Sequence, residues 1–242
     1  MIHLLIVAYG AAAYLFFLAT ILYAVAFVGN LPVPLTIDVG PPTPTLQAAI
    51  VDTLLFAVFA LQHSVMARAG FKRAWTRMVP PVLERSTYVL ASTLALAALL
   101  GFWRPIPEPL VWDLHGWWAA AMQALFWSGW LLVVASTFFI NHFELFGLQQ
   151  IAVRVLRIDV EPTAFRTPLL YRHVRHPMYL GFLITFFATP RMTAGHLLFA
   201  AAGTAYILVG VYFEERDLVA IFGQRYRDYQ RSVGMLLPWR RG

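Results

Sequence analysis

Residues 4–28 read LLIVAYGAAAYLFFLATILYAVAFV, twenty-five positions without a charged side chain. At 1.5 Å per residue, a helix of that length crosses the roughly 30 Å hydrocarbon core of a bilayer. No basic segment precedes it and no small-residue cleavage signal closes it, so it reads as a retained helix, not a secretory signal. Similar runs follow at Leu46–Ala67, which carries Asp52, Gln62 and His63, at Thr87–Phe102, at Trp117–Ile140 and at Gly195–Phe213. Met178–Thr189, about 12 residues, is too short to cross upright. With Gly195–Phe213 it is expected to form a tilted or partly submerged hairpin. Composition agrees: 60% of the 242 residues are hydrophobic and 12% charged, against about 25% charged in an average soluble domain. That is too little charge to clothe a soluble globule.

The loops set an orientation. Arg68–Ser86 holds Arg68, Lys72, Arg73, Arg77 and Arg85; Asn141–Pro177 holds Arg154, Arg157, Arg166, Arg172 and Arg175; the tail after Phe213 holds six more arginines, the last being Arg240 and Arg241. The segments Gly29–Thr45 and Trp103–Gly116 share only Arg104. An excess of basic residues marks cytoplasmic loops, which places both termini and His63, His142, His173 and His176 on the cytoplasmic side, and His115 and His196 near the outer face. The net charge of +6 then belongs to the inner surface of the lipid bilayer, and nucleic acid is not an expected partner. The absence of cysteine excludes disulfides, thiolate metal ligation and a cysteine nucleophile. The expected fold is all-α: a polytopic integral membrane helical bundle of four spans, a C-terminal helical hairpin and an amphipathic cytoplasmic tail helix over Leu218–Val233.

Chemistry concentrates at the cytoplasmic ends. Tyr171-Arg172-His173-Val174-Arg175-His176-Pro177-Met178-Tyr179-Leu180-Gly181 enters a membrane helix, with Pro177 at a favoured first position. Helix amides together with Arg172 and Arg175 suit a carboxylate or phosphate, and Gly181 would let a ligand approach the backbone. Glu214-Glu215-Arg216-Asp217 follows the last span; its carboxylates suit a ribose diol or a cation, or else pair with Arg172 or Arg175. Tyr226 lies on the apolar face of the tail. Gln62-His63-Ser64 with Arg68, and Asn141-His142-Phe143-Glu144, sit at the inner ends of two spans. A histidine there is a functional candidate because an unpartnered one is costly.

In that order and spacing, Arg175–Gly181, then Glu214–Leu218, Phe222-Gly223, Tyr226, Tyr229 and Pro238 resemble the isoprenylcysteine carboxyl methyltransferase superfamily of membrane enzymes. Phe143–Leu148 with Gln150, Gln62–Ser64 with Met66–Arg68, and Ala188–Thr193 are most similar to its methanethiol S-methyltransferase and NnrU-type branch. The resemblance implies a methyltransferase using S-adenosyl-L-methionine and a small thiol, converting methanethiol to dimethyl sulfide. The cofactor would be framed by Tyr171, Arg172, His173, Arg175, His176, Pro177, Tyr179 and Gly181, with Glu214, Glu215 and Tyr226 closing the other side. On this view residues 1–140 form a four-span region and 141–242 a catalytic region. A thiol is mostly protonated at neutral pH, so the reaction needs a base or an anion-stabilising cation. By elimination His63, His142 and Glu144 are the candidate bases, expected to converge beside Arg175–Gly181, and Arg68 or Arg172 the candidate cation. The competing readings are a prenylcysteine-type carboxyl methyltransferase, and a membrane haem or metal protein of nitrogen-oxide metabolism using histidines such as His173 and His176.

Overall fold

A computed structural model describes residues 2–158 and 167–238. Arg166, Arg240 and Arg241, counted above among the basic loop residues, lie outside them. The fold is a polytopic helical bundle. Among the described residues five helices are long and apolar enough to cross a membrane: α1 (Ile2–Val28), α2 (Thr45–Ala67), α4 (Pro81–Phe102), α5 (Gly116–Ile140) and α9 (Ala194–Phe222), with the short apolar α8 (Pro177–Phe187). Between them lie α3 (Ala69–Trp75), α6 (His142–Leu145), α7 (Leu148–Leu156) and, last, α10 (Gln224–Ser232). One side of each span stays apolar and exposed, as lipid requires: Leu54, Val58, Leu61 and Val65 on α2, and Trp127, Leu131, Val134 and Phe138 on α5, follow helical spacing.

The chain forms two compact units. Residues 2–106 and 141–158 make the first, in which α4 packs on α1 and α2, and α7 lies against α1 and α4. Two boundaries differ from the sequence expectation. The third span begins at Pro81, not Thr87: Pro81 takes the first helical position and Glu84 the first turn, both favourable at a helix start. The basic stretch before it contains the separate helix α3. Gly147, at φ 86°, starts α7 so close to α4 that a Cβ would lie 2.7 Å from Ser86 Oγ and 2.8 Å from its backbone nitrogen, a position only glycine fills. At the other end of this unit Asp52, 1% exposed, accepts the backbone N–H of Arg104 at 2.8 Å.

Residues 107–140 and 167–238 make the second unit, built on the pairing of α5 with α8. Gly129 and Gly181 meet there. A Cβ on Gly181 would lie 2.7 Å from the Gly129 carbonyl oxygen and 2.8 Å from Val133 Cγ2. Small residues let membrane helices approach this closely. The room that the sequence reading kept for a ligand at Gly181 is therefore filled by α5. Two short strands, β1 (Leu110–Asp113) and β2 (Arg191–Thr193), pair antiparallel at the end of the unit where α5 begins; the sequence reading had loops there. The hairpin is asymmetric as expected, 11 residues in α8 against 29 in α9. The tail differs. A single amphipathic helix over Leu218–Val233 was expected, but α9 runs on to Phe222 and stops at Gly223, whose φ of 58° and ψ of −127° favour glycine. Leu218 and Phe222 thus extend the last span, and α10 is a separate helix.

Candidate active site

In the second unit the Tyr171–Gly181 stretch, the end of α9 and α10 come together. Residues 169–172 form a 3-10 turn, and α8 starts at Pro177 with His176 as its cap. From the helix start, Arg175 reaches across: its Nε donates to Glu215 Oε1 at 2.6 Å and its Nη1 to the Gln230 carbonyl at 3.1 Å and the Val233 carbonyl. His176 Nε2 lies 3.1 Å from the same Glu215 oxygen, and Gln230 Nε2 donates to Glu215 Oε2 at 2.8 Å. Arg175 and Glu215 side chains are only 10% and 15% exposed. The backbone completes the tie: Arg175 N–H donates to Gly234 O at 2.9 Å, His176 N–H to Met235 O at 3.1 Å, and Tyr229 OH to Tyr171 O. This ion pair is the alternative weighed for the acidic pair, and it applies to Glu215. Arg175 is accordingly an internal strut, not a cation left open for a ligand.

Glu214 is different. Its side chain is 43% exposed, Tyr179 OH donates to its Oε2 at 2.8 Å, and His176 Nδ1 is 3.8 Å away. The His176 and Tyr179 rings stack at 5.5 Å and 26°, so an open carboxylate stands beside a flat aromatic face. Arg172 and His173 are exposed just before the helix start, and Tyr171 is half-buried. Tyr226, 2% exposed, packs on Tyr229 at 5.7 Å. Burial, then the Glu215 charge, pushes its phenol above the ordinary tyrosine value. It belongs to the packed floor beneath the ion pair.

In the first unit, the two candidate histidines meet one aromatic cluster. Tyr88, Val89 and Phe146 form a buried core that Tyr14, Phe17, Met66, Ala67 and Leu145 pack against. His63 Nε2 is 2.7 Å from Tyr88 OH, and His142 Nε2 is 2.7 Å from Tyr14 OH. Burial pushes the His142 imidazole below the ordinary histidine value. Glu144 is tied into the turn: Asn141 donates to its Oε2 at 3.0 Å, and its N–H donates to Asn141 Oδ1 at 3.2 Å. Arg68 folds back on its own helix, with Nε 3.3 Å from Ser64 O. Tyr14 and Tyr88 went unnoticed in the sequence, where tyrosines on long apolar helices look like ordinary packing; only their reach to a histidine sets them apart. Among the described residues no three His, Cys, Asp or Glu side chains gather in a way that would hold a metal ion.

Fold and site define a polytopic α-helical membrane protein with a buried Arg175–Glu215 ion pair and an open Glu214 at a helix border. The chain belongs to the NnrU family, whose model, described as NnrU protein, matches residues 53–225. It is 54% identical over 238 residues to the methanethiol S-methyltransferase of Mycobacterium tuberculosis, covering 97% of this chain and 96% of that protein. Methanethiol S-methyltransferase 1 of Bradyrhizobium diazoefficiens is 53% identical over 234 residues, covering 96% and 82%. Human nurim is 32% identical over 185 residues, covering 73% and 70%. No solved structure matches. The branch indicated by the motifs is the one matched.

Proposed function

We propose that this chain is a membrane-embedded methyltransferase that S-methylates a small thiol, methanethiol, with S-adenosyl-L-methionine as donor. The observation that carries this reading is the identity of 53–54% along nearly the whole chain to proteins named methanethiol S-methyltransferase. The residues at the α8 border fit such a donor. The open Glu214 carboxylate suits a ribose diol or an ammonium group, the exposed Arg172 suits a carboxylate, and the half-buried Tyr179 ring, backed by the buried His176, offers a face to a sulfonium. When bound there, the donor supplies an electrophilic methyl group. Glu215 and Arg175 act indirectly, by holding α10 and the segment Val233–Met235 against this border. For the thiol proton the candidate base is His142, whose imidazole burial pushes below the ordinary histidine value; His63 is the second candidate. The basic segments support a cytoplasmic side for this chemistry, and a reporter joined to either terminus should read out there.

The test is methyl transfer by detergent-purified protein from labelled S-adenosylmethionine to methanethiol, a bulkier thiol and a prenylcysteine. Labelled dimethyl sulfide is the expected product. Transfer to the prenylcysteine alone would replace the thiol reading with the carboxyl one, and no donor binding at all would remove the enzyme reading.

A further inference from the structure

Arg85 is the fifth residue of α4, directly after its first turn. Its Nε donates to the Leu145 carbonyl at 2.7 Å, which ties it to α6, the helix that carries His142. Its guanidinium carbon lies 5.1 Å from the centroid of the Tyr88 ring, and the hydroxyl of that tyrosine is 2.7 Å from His63 Nε2. The side chain is half-buried. Among the described residues no carboxylate pairs with it, and its two terminal nitrogens have no hydrogen-bond partner. A partly buried guanidinium, fixed through Nε and stacked on an aromatic ring, with its remaining donors open, is a prepared anion site.

We propose that Arg85 binds the methyl acceptor as its thiolate, its terminal nitrogens donating to the sulfur. This rests on the reading of the chain as a thiol methyltransferase. The S–H bond breaks with its electron pair left on sulfur, the proton passes to the imidazole of His142, and the thiolate sulfur uses a lone pair to bond the donor's methyl carbon as the methyl–sulfonium bond breaks, its electron pair leaving on the sulfur of S-adenosylhomocysteine. Arg85 holds the negative charge in the interval. Tyr88 is a positioning residue, presenting its ring to the guanidinium and its hydroxyl to His63. Arg68, the cation that the sequence singled out, is turned onto Ser64 and is not needed.

An opposite charge at contact favours the ionised form of an acid by about 1–3 pKa units. Arg85→Gln should therefore lower kcat/KM for methanethiol by roughly 10- to 10³-fold at pH 7, and the deficit should close as pH rises and the thiol ionises unaided. Arg85→Lys, which keeps the charge, should recover most of the rate. Affinity for S-adenosylmethionine, measured separately, should not change in either variant. Thiocyanate, a small sulfur-bearing anion, should compete with methanethiol in the parent protein and not in Arg85→Gln. The inference is overturned if Arg85→Gln works at the parent rate, or if both variants lose the same factor at every pH. A parent protein that binds the donor but methylates no thiol would instead sink the proposed function.

Discussion

Replacing Glu215 by alanine isolates what the latch contributes. Glu215 accepts from Arg175 at 2.6 Å, from Gln230 at 2.8 Å and stands 3.1 Å from His176 Nε2. Each charge-assisted bond contributes roughly 1.5–3 kcal/mol, but three bonds to one carboxylate are not additive. The better guide is the cost of removing one member of a buried ion pair, about 3–5 kcal/mol. Solvent screens little here, since the two side chains are 10% and 15% exposed. At 1.4 kcal/mol per tenfold, a loss of about 3 kcal/mol multiplies the open population of the tail by roughly 10². The reporters are the amides of Arg175 and His176, which donate to Gly234 and Met235 and exchange with solvent only when the tail lifts. Hydrogen exchange on the full chain in detergent should show both amides exchanging about a hundredfold faster in Glu215→Ala. The double variant Arg175→Met with Glu215→Leu should cost less than Glu215→Ala, because no buried charge is then left alone. Exchange rates within about threefold of the parent in Glu215→Ala would refute the claim that this ion pair holds the tail.

Three further outcomes are expected. Glu214→Ala should leave those two amides protected while weakening S-adenosylmethionine binding by roughly 10- to 100-fold, the worth of one charge-assisted hydrogen bond; equilibrium binding with labelled donor measures it. Gly181→Ala forces a Cβ to 2.7 Å from the Gly129 carbonyl oxygen, and should lower stability by roughly 1–3 kcal/mol, as overpacking does, read as a lower midpoint of thermal unfolding in detergent. His142→Ala should lower kcat roughly 10²–10⁴-fold with donor affinity unchanged. In the parent protein the acid limb of the rate profile should fall below the ordinary histidine value of about 6.5. Because burial lowers the folded value, the unfolded chain binds more protons between the two values. Stability should then fall as pH drops through that window and level off above it.

Much of the architecture was legible in the sequence for one reason: a backbone crossing lipid must satisfy its own hydrogen bonds, so a long uncharged run has to be a helix. Residues 4–28 and 117–140 are helical to within two residues of where they were drawn. The ordered motifs from Arg175 to Tyr229 indicated the superfamily, and Phe143–Leu148, Gln62–Ser64 with Met66–Arg68, and Ala188–Thr193 its branch, since residue type and spacing are written along the chain. The sequence also placed Glu214 and Glu215 at the end of the last span, but it could not tell them apart. Adjacent residues on a helix point about 100° apart, so the packing of α10 decides that Glu215 meets Arg175, forty positions away, and that Glu214 stays open. The same holds for Gly181, whose missing side chain admits Gly129 and not a ligand. It holds for Tyr14 with His142, 128 positions apart, and for Arg85, which counted as loop charge until the start of α4 was seen to lie at Pro81. Local pattern determined which segments are helices; which face of each helix meets which neighbour, and so which polar groups are spent and which left available, was decided only by tertiary packing.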